Sequence, residues 1–248
     1  MIMEPNRAKF YNTIYETTLD EHERYNIGTY REKKLHIILK KYFEEDPAYH
    51  EIKVNGFIAD VCRDGEITEI ETSGFSGLGP KLEAYLPEYR VNLVHPLAAK
   101  KYVSWIDPET GEISPRKKSP KKEGVWDTVF ELVRILPYVN HENLTVIAPM
   151  LEIDEYRRLD GWSRDRKRGS NRYERVPVEL MEIAVLHTDD DYRAQIPEDL
   201  PERFTAKEFC KAIKRNERIG RGVMKVLETR GVLVRTEKQG RSQLWMRG

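Results

Sequence analysis

The chain has 248 residues, and its 42 Lys and Arg balance 42 Asp and Glu to a formal net charge of zero. With 34% charged and 39% apolar residues, and 13 Tyr, 7 Phe and 4 Trp to build a core, the composition excludes a disordered chain. Cys62 and Cys210 stand far apart without C-x-x-C spacing, which excludes a disulfide scaffold or zinc finger and points to a reducing compartment. The N-terminal segment is too charged for a signal peptide and no apolar run reaches the length of a membrane span. The expectation is a cytoplasmic protein with no membrane partner.

Residues 1–28 lack clean periodicity and read as an N-terminal arm. A helix is expected from Thr29, with Leu35, Ile38, Leu39 and Tyr42 on one face and Thr29-x-x-Glu32 spaced as a capping box. Three strands follow, at about 50–54, 57–62 and 66–72, joined at Asn55-Gly56 and Asp64-Gly65, the strongest short hairpin dipeptides. A glycine-rich loop, Ser73–Gly79, leads to Pro80 at the start of a helix through Leu86. Strands are expected at Arg90–His95, stopped by Pro96, and at Tyr102–Ile106. Trp126–Ile135 reads as a helix and Leu144–Leu151 as a buried strand; 170–200 reads as irregular or helical. Two basic patches, Arg116–Lys122 and Arg157–Arg168, read as loops.

From Phe204 to Gly248, twelve Lys and Arg face four Glu, so this segment carries +8 and the remainder −8. A compact basic tail on an acidic body is a partner signal, with nucleic acid the first candidate. Thr205-x-x-Glu208 opens a helix through about Ile213. A second helix, Glu217 to Thr229, stops before Gly231, a good C′ glycine. Its apolar face is Ile219, Val223, Val226 and Leu227; Arg218, Arg221 and Lys225 form a cationic stripe opposite. Two strands, 232–236 and 242–246, are joined by a turn at Gln239-Gly240 flanked by Lys238 and Arg241. Helix, turn, helix and basic hairpin are the pattern of a winged helix docking on DNA, although a protein-binding winged helix has the same outline. With Arg116, Lys117 and Lys118 of the first basic patch, these cations are the candidate nucleic-acid contacts.

The two hairpin dipeptides let register be calculated. Two-residue loops make paired positions sum to 111 and 129, placing Asp60 opposite both Glu51 and Glu69, with Glu71 two residues along from Glu69. Like charges directly opposed in a sheet are destabilising, so this row of acids is either exposed to screening water or holds a cation, for which carboxylate oxygens suit Mg²⁺ or Mn²⁺.

Asp60, followed nine residues on by Glu69-Ile70-Glu71 and preceded by a helix carrying Glu32, resembles the motif of the PD-(D/E)XK nuclease-like superfamily. REKKLH (31–36), FIADV (57–61), EIET (69–72), F-S-x-L-x-x-K-L (75–82), SPRKKSPKK (114–122) and the tail occur in the order of a poorly characterised branch in which a winged helix follows the core. The resemblance implies an α/β, restriction-endonuclease-like fold, a mixed sheet flanked by helices, over 29–202 and a small winged-helix domain over 203–248. It implies a Mg²⁺-dependent nuclease acting on DNA, with Asp60 and Glu69 as metal ligands. Glu32 would reach the same site, unless it serves only as the capping partner of Thr29. Glu51, in the row, is a further candidate ligand. Glu71 stands where the superfamily typically has a Lys that orients the attacking water, though some restriction enzymes carry Glu there. The cation could then come from Lys81 or from Lys53. Many such nucleases cut as dimers, so a homodimer is possible. Two further classes remain open: a non-catalytic DNA-binding protein on a degenerate nuclease fold, and an adaptor whose tail binds protein.

Overall fold

A computed structural model describes residues 2–24, 34–159 and 171–248. The chain opens with β1 (Ile2–Met3) and an 18-residue helix, α1 (Arg7–Arg24), where the sequence reads as an arm. Phe10 of α1 is fully buried, and Thr13 and Thr17 share its buried face, so hydroxyls replace half of the apolar signal that would mark the helix. Next come α2 (Lys34–Phe43), β2 (His50–Val54), β3 (Phe57–Arg63) and β4 (Glu66–Ile70). Residues 29–33, the expected start of α2, lie outside the described residues. Both hairpin turns have positive φ at each central residue, +46° and +86° at Asn55-Gly56 and +50° and +77° at Asp64-Gly65, which matches the strand twist.

The chain continues through α3 (Gly79–Tyr85), with Pro80 in its first turn, then β5 (Arg90–Val94), β6 (Leu97–Ile106), β7 (Lys117–Lys118) and α4 (Val125–Glu131). A 3₁₀ segment, Leu132–Tyr138, precedes β8 (Leu144–Arg158) and β9 (Asn171–Leu186). The 16-residue β9 corrects the irregular or helical expectation for 170–200. Its register against β8 shifts at three places and it contains Pro177, so the alternation of a half-buried strand is broken along its length. Arg157 and Arg158 belong to β8, Lys117 and Lys118 form β7, and residues 160–168 of the second basic patch lie outside the described residues.

Among the described residues, nine strands form one mixed sheet. The order β1-β9-β8-β5-β4-β3-β2 has a parallel centre, β4 with β5 and β5 with β8, and antiparallel flanks. β6 runs on beyond β5 along the same side of β8, after a break at His95-Pro96. Alternation sorts the core into two clusters: Leu93 and Val146 face one, their neighbours Val94 and Ile147 the other. Helices α1 and α2 cover the second cluster; α3 and α4 cover the first. The molecule is thus a mixed α/β structure with helices on both faces of the sheet. Among the described residues no helix is long and apolar enough to cross a membrane.

The tail follows α5 (Asp189–Arg193). It comprises β10 (Phe204–Thr205), α6 (Ala206–Ala212), α7 (Glu217–Thr229), β11 (Leu233–Gln239) and β12 (Ser242–Arg247). Thr205 and Glu208 make the expected capping box, and the strands form a separate small sheet, β10-β12-β11. The tail has its own sheet but not its own core. Phe209, Val223 and Leu227 share a buried cluster with Trp126, Val129 and Leu132, and Arg215 pairs with Asp127 of α4 at 2.5 Å.

Candidate active site

The paired register of β3 and β4 runs from Arg63↔Glu66 to Val61↔Thr68 and no further. Beyond it, the Asp60 carboxylate takes the place of the ladder: its Oδ2 accepts the Ile70 amide at 2.7 Å and lies 3.1 Å from Nε2 of His36 on α2. Glu69 is 1% exposed, and its Oε2 accepts a hydrogen bond from Lys81 Nζ at 2.8 Å. Lys81 projects from the first turns of α3 and also donates to the Ile58 carbonyl at 2.8 Å, tying α3 to β3. The Glu71 backbone is held on two sides, its amide donating to Val94 and its carbonyl accepting His95 Nδ1–H, each at 2.8 Å. The Glu71 side chain has no hydrogen-bond or ion-pair partner among the described residues.

These groups feel one another's charge. Burial pushes Asp60 upward, but the His36 hydrogen bond and charge, the Ile70 amide and Lys81 outweigh it, so it titrates below the ordinary carboxylate range. Burial drives Glu69 up to about 7, with the Asp60 charge adding to the shift and Lys81 opposing it. Glu71 is raised to about 6 by burial and by Asp60. The Tyr85 hydroxyl, one turn after Lys81 on α3, is pushed up by burial and by the charges of Glu69 and Asp60. Two polar atoms of this group, Glu69 Oε1 and Tyr85 Oη, are buried without a hydrogen-bond partner among the described residues. Carboxyls raised by burial beside a low one, with a lysine among them, can separate a charged ligand from a proton acceptor at neutral pH.

Asp60, Glu69, Glu71 and Lys81 are therefore brought together, and Lys81 rather than Lys53 carries the cation to Glu69. Glu51 departs from the expected row. Its φ of +53° interrupts the β2–β3 pairing between His50↔Val61 and Ile52↔Ala59, and its half-exposed carboxylate pairs with Lys40 of α2 at 2.5 Å. Lys53 is exposed on β2, and Glu32 lies outside the described residues. Sequence reasoning missed His36 and Tyr85 as members of the site. Lys81-x-x-x-Tyr85 spacing could have flagged the tyrosine, whereas His36 is brought in only by the docking of α2.

Among the described residues, no group of three or more His, Cys, Asp or Glu is gathered into a metal cage. Mg²⁺ does not require one, because it keeps several waters and is commonly held by one or two carboxylates with substrate phosphates. The buried, unpartnered Glu69 Oε1 beside ionised Asp60 fits that mode.

The candidate nucleic-acid contacts divide. Arg116 is engaged by Glu152 and Asp154 at 2.5 and 2.6 Å and lies 3.5 Å over the Tyr102 ring; Lys117 lies over Trp105, and Lys118 is exposed on β7. Arg218 lies over Phe130 of α4, and Arg221 pairs with Glu217 at 3.4 Å. Lys225, Lys238 and Arg241 are exposed, without ion-pair partners among the described residues. Between α7 and the β11–β12 hairpin is a groove of about 420 Å³, lined by Arg221, Lys225 and Arg235 above Met224 and Trp245.

Residues 33–187, more than half of the chain, match a family described as Domain of unknown function (DUF8091). A protein of Treponema pallidum (strain Nichols), described as uncharacterized, is 28% identical over 231 residues, covering 88% of this chain and 86% of its own length. No solved structure matches the chain.

Proposed function

The chain belongs to the DUF8091 family, and we propose that it is a metal-dependent nucleic acid phosphodiesterase, a DNA endonuclease-like enzyme of PD-(D/E)XK type with a winged-helix tail that binds DNA. The observation that carries this reading is the convergence of Asp60, Glu69, Glu71 and Lys81 where β3 and β4 part. The buried Glu69 carboxylate there keeps an oxygen without a hydrogen-bond partner among the described residues. The restriction-endonuclease-like fold is supported by the parallel centre of the sheet with helices on both faces. The winged helix is supported by the order β10-α6-α7-β11-β12 and its three-stranded sheet.

Asp60 and Glu69 would hold Mg²⁺ or Mn²⁺. Such an ion, when bound, polarises a phosphoryl oxygen and lowers the pKa of water. His36 and the Ile70 amide fix Asp60 in its ionised form. Lys81 holds Glu69 and supplies the positive charge that Glu71 cannot, stabilising the charge that develops on the phosphoryl oxygens. Glu71, raised to about 6 and mostly ionised at neutral pH, accepts the proton of the attacking water. The exposed cations of α7 and the hairpin, Lys225, Lys238 and Arg241, contact phosphates and position the strand without reading its sequence.

One observation favours a second reading. The Lys81 ammonium already pairs with the buried Glu69 carboxylate at 2.8 Å, which suits a non-catalytic DNA-binding protein on a degenerate nuclease fold. Calorimetric titration with Mn²⁺ separates the two. The nuclease reading expects binding by the wild type that is lost in Asp60→Asn while DNA binding is kept. A wild type that binds DNA but no Mn²⁺ supports the degenerate fold.

A further inference from the structure

Next to the acid site lies a second, oppositely charged group. Arg175 of β9 is 9% exposed, and its Nη2 donates to the carbonyl of Thr72, the residue after Glu71, at 2.5 Å. A buried guanidinium is normally matched by a carboxylate, because an unpaired charge in a desolvated site is costly. Arg175 has no carboxylate within ion-pair distance among the described residues. Its strand partner Glu155 is paired directly across the β8–β9 ladder but is already claimed. Glu155, itself 1% exposed, takes Arg157 at 2.5 Å, and Lys101 and Arg172 at 3.4 Å each. Glu123 and Glu174 act on Arg175 from farther off. Glu123 is occupied by the Ala98 amide and Lys121, and Glu174 by the Arg175 amide. Three cations from β6, β8 and β9 thus pair with one carboxylate while Arg175 stands beside it unpaired, and Lys101 and Arg175 are about nine-tenths buried.

We propose that Arg175, with Arg172 and Lys101, forms a phosphate-binding subsite adjoining the acid site, which holds a phosphate of the substrate strand next to the one being cleaved. The inference rests on the phosphodiesterase reading for its biological ligand but not for its chemistry. An anion seated there completes the charge balance that Glu155, Glu123 and Glu174 leave short, and a guanidinium fork suits phosphate oxygens in two-point contact. The Thr72 carbonyl places the subsite one residue from Glu71, so a strand held by Arg175 lies next to the groups that would act on it.

The test uses the full chain in EDTA, so that neither metal nor cleavage enters. Thermal melting is followed with inorganic phosphate against chloride at matched ionic strength, and the anisotropy of a fluorescein-labelled single-stranded oligonucleotide is followed against salt. Phosphate raises the melting temperature of the wild type and not of Arg175→Gln. The oligonucleotide affinity of that variant falls about tenfold, with a salt slope smaller by about one. Lys225→Gln, in the tail, loses oligonucleotide affinity but keeps the stabilisation by phosphate. Should Arg175→Gln not fold, Arg172→Gln, on the half-exposed member, carries the same two readouts. Equal stabilisation of wild type and variant by phosphate overturns the proposal and leaves Arg175 as a clamp on the Thr72 carbonyl. Stabilisation by phosphate without any oligonucleotide effect assigns the subsite to free phosphate and overturns the substrate-strand role. A wild type that passes both tests but never cuts DNA removes the nuclease reading and leaves the subsite standing.

Discussion

Replacing Glu69 by Gln keeps the shape of the side chain and an oxygen for Lys81 while removing the charge that burial opposes. The Glu69 carboxyl sits at about 7 in the folded chain against 4.5 as its ordinary value, chiefly because it is buried. The folded state therefore binds the extra proton between those two values, and stability is lost as pH rises through them. At 1.36 kcal/mol per unit, the loss from this carboxyl approaches about 3 kcal/mol. A glutamine does not titrate, so Glu69→Gln is spared that loss. Relative to wild type, the variant is expected to gain about 3 kcal/mol of stability between about pH 4.5 and about pH 8. Other carboxyls titrate in both proteins and largely cancel in the comparison. Urea unfolding of the two proteins at the two pH values measures the double difference. Mn²⁺ added at the higher pH should restore much of the wild type's deficit and leave the variant unchanged, since a ligand stabilises only the form that binds it. A stability difference that does not change with pH refutes the reasoning, because Glu69 would then not be held ionised against its burial.

Lys81→Met removes the charge that opposes the rise of both Glu69 and Glu71, so the pH at which metal binding and cleavage reach half their maximum moves upward. A pH–rate profile shows the shift, and an unchanged profile would place Lys81 outside the site. Lys225→Gln with Lys238→Gln lowers DNA affinity uniformly across sequences and reduces the slope of log affinity against log salt by about two, one per lost phosphate contact, measured by anisotropy. Gly222→Ala puts a Cβ 2.5 Å from the Phe130 ring where α7 meets α4, and is expected to cost about 1–3 kcal/mol in urea unfolding by crowding this contact.

How far the sequence could be read depended on whether local chemistry decided the structure. The hairpins were legible because Asn-Gly and Asp-Gly set a turn type and the turn sets the register, which holds as far as Val61↔Thr68, one position short of Asp60 and Glu69. The tail was legible because caps, a glycine stop and an amphipathic face coincide on α6 and α7. Helix α1 was not, since Thr13 and Thr17 stand on its buried face beside Phe10 and blur its apolar stripe. Strand β9 was hidden by three register shifts against β8. Within the site, the acids were readable but their partners were not. The positive φ that carries Glu51 away to Lys40 has no signal in a glutamate, and the contact of His36 with Asp60 exists only because α2 docks on the sheet.

The central claim, that this acid site hydrolyses phosphodiesters, is tested most directly by cleavage of plasmid and single-stranded DNA with Mg²⁺ or Mn²⁺, wild type beside Asp60→Ala and Glu69→Ala. The account predicts metal-dependent cutting by the wild type that falls by at least about a hundredfold in both variants while DNA binding persists. A wild type that binds DNA and does not cut it, or cutting that survives both substitutions, contradicts the account.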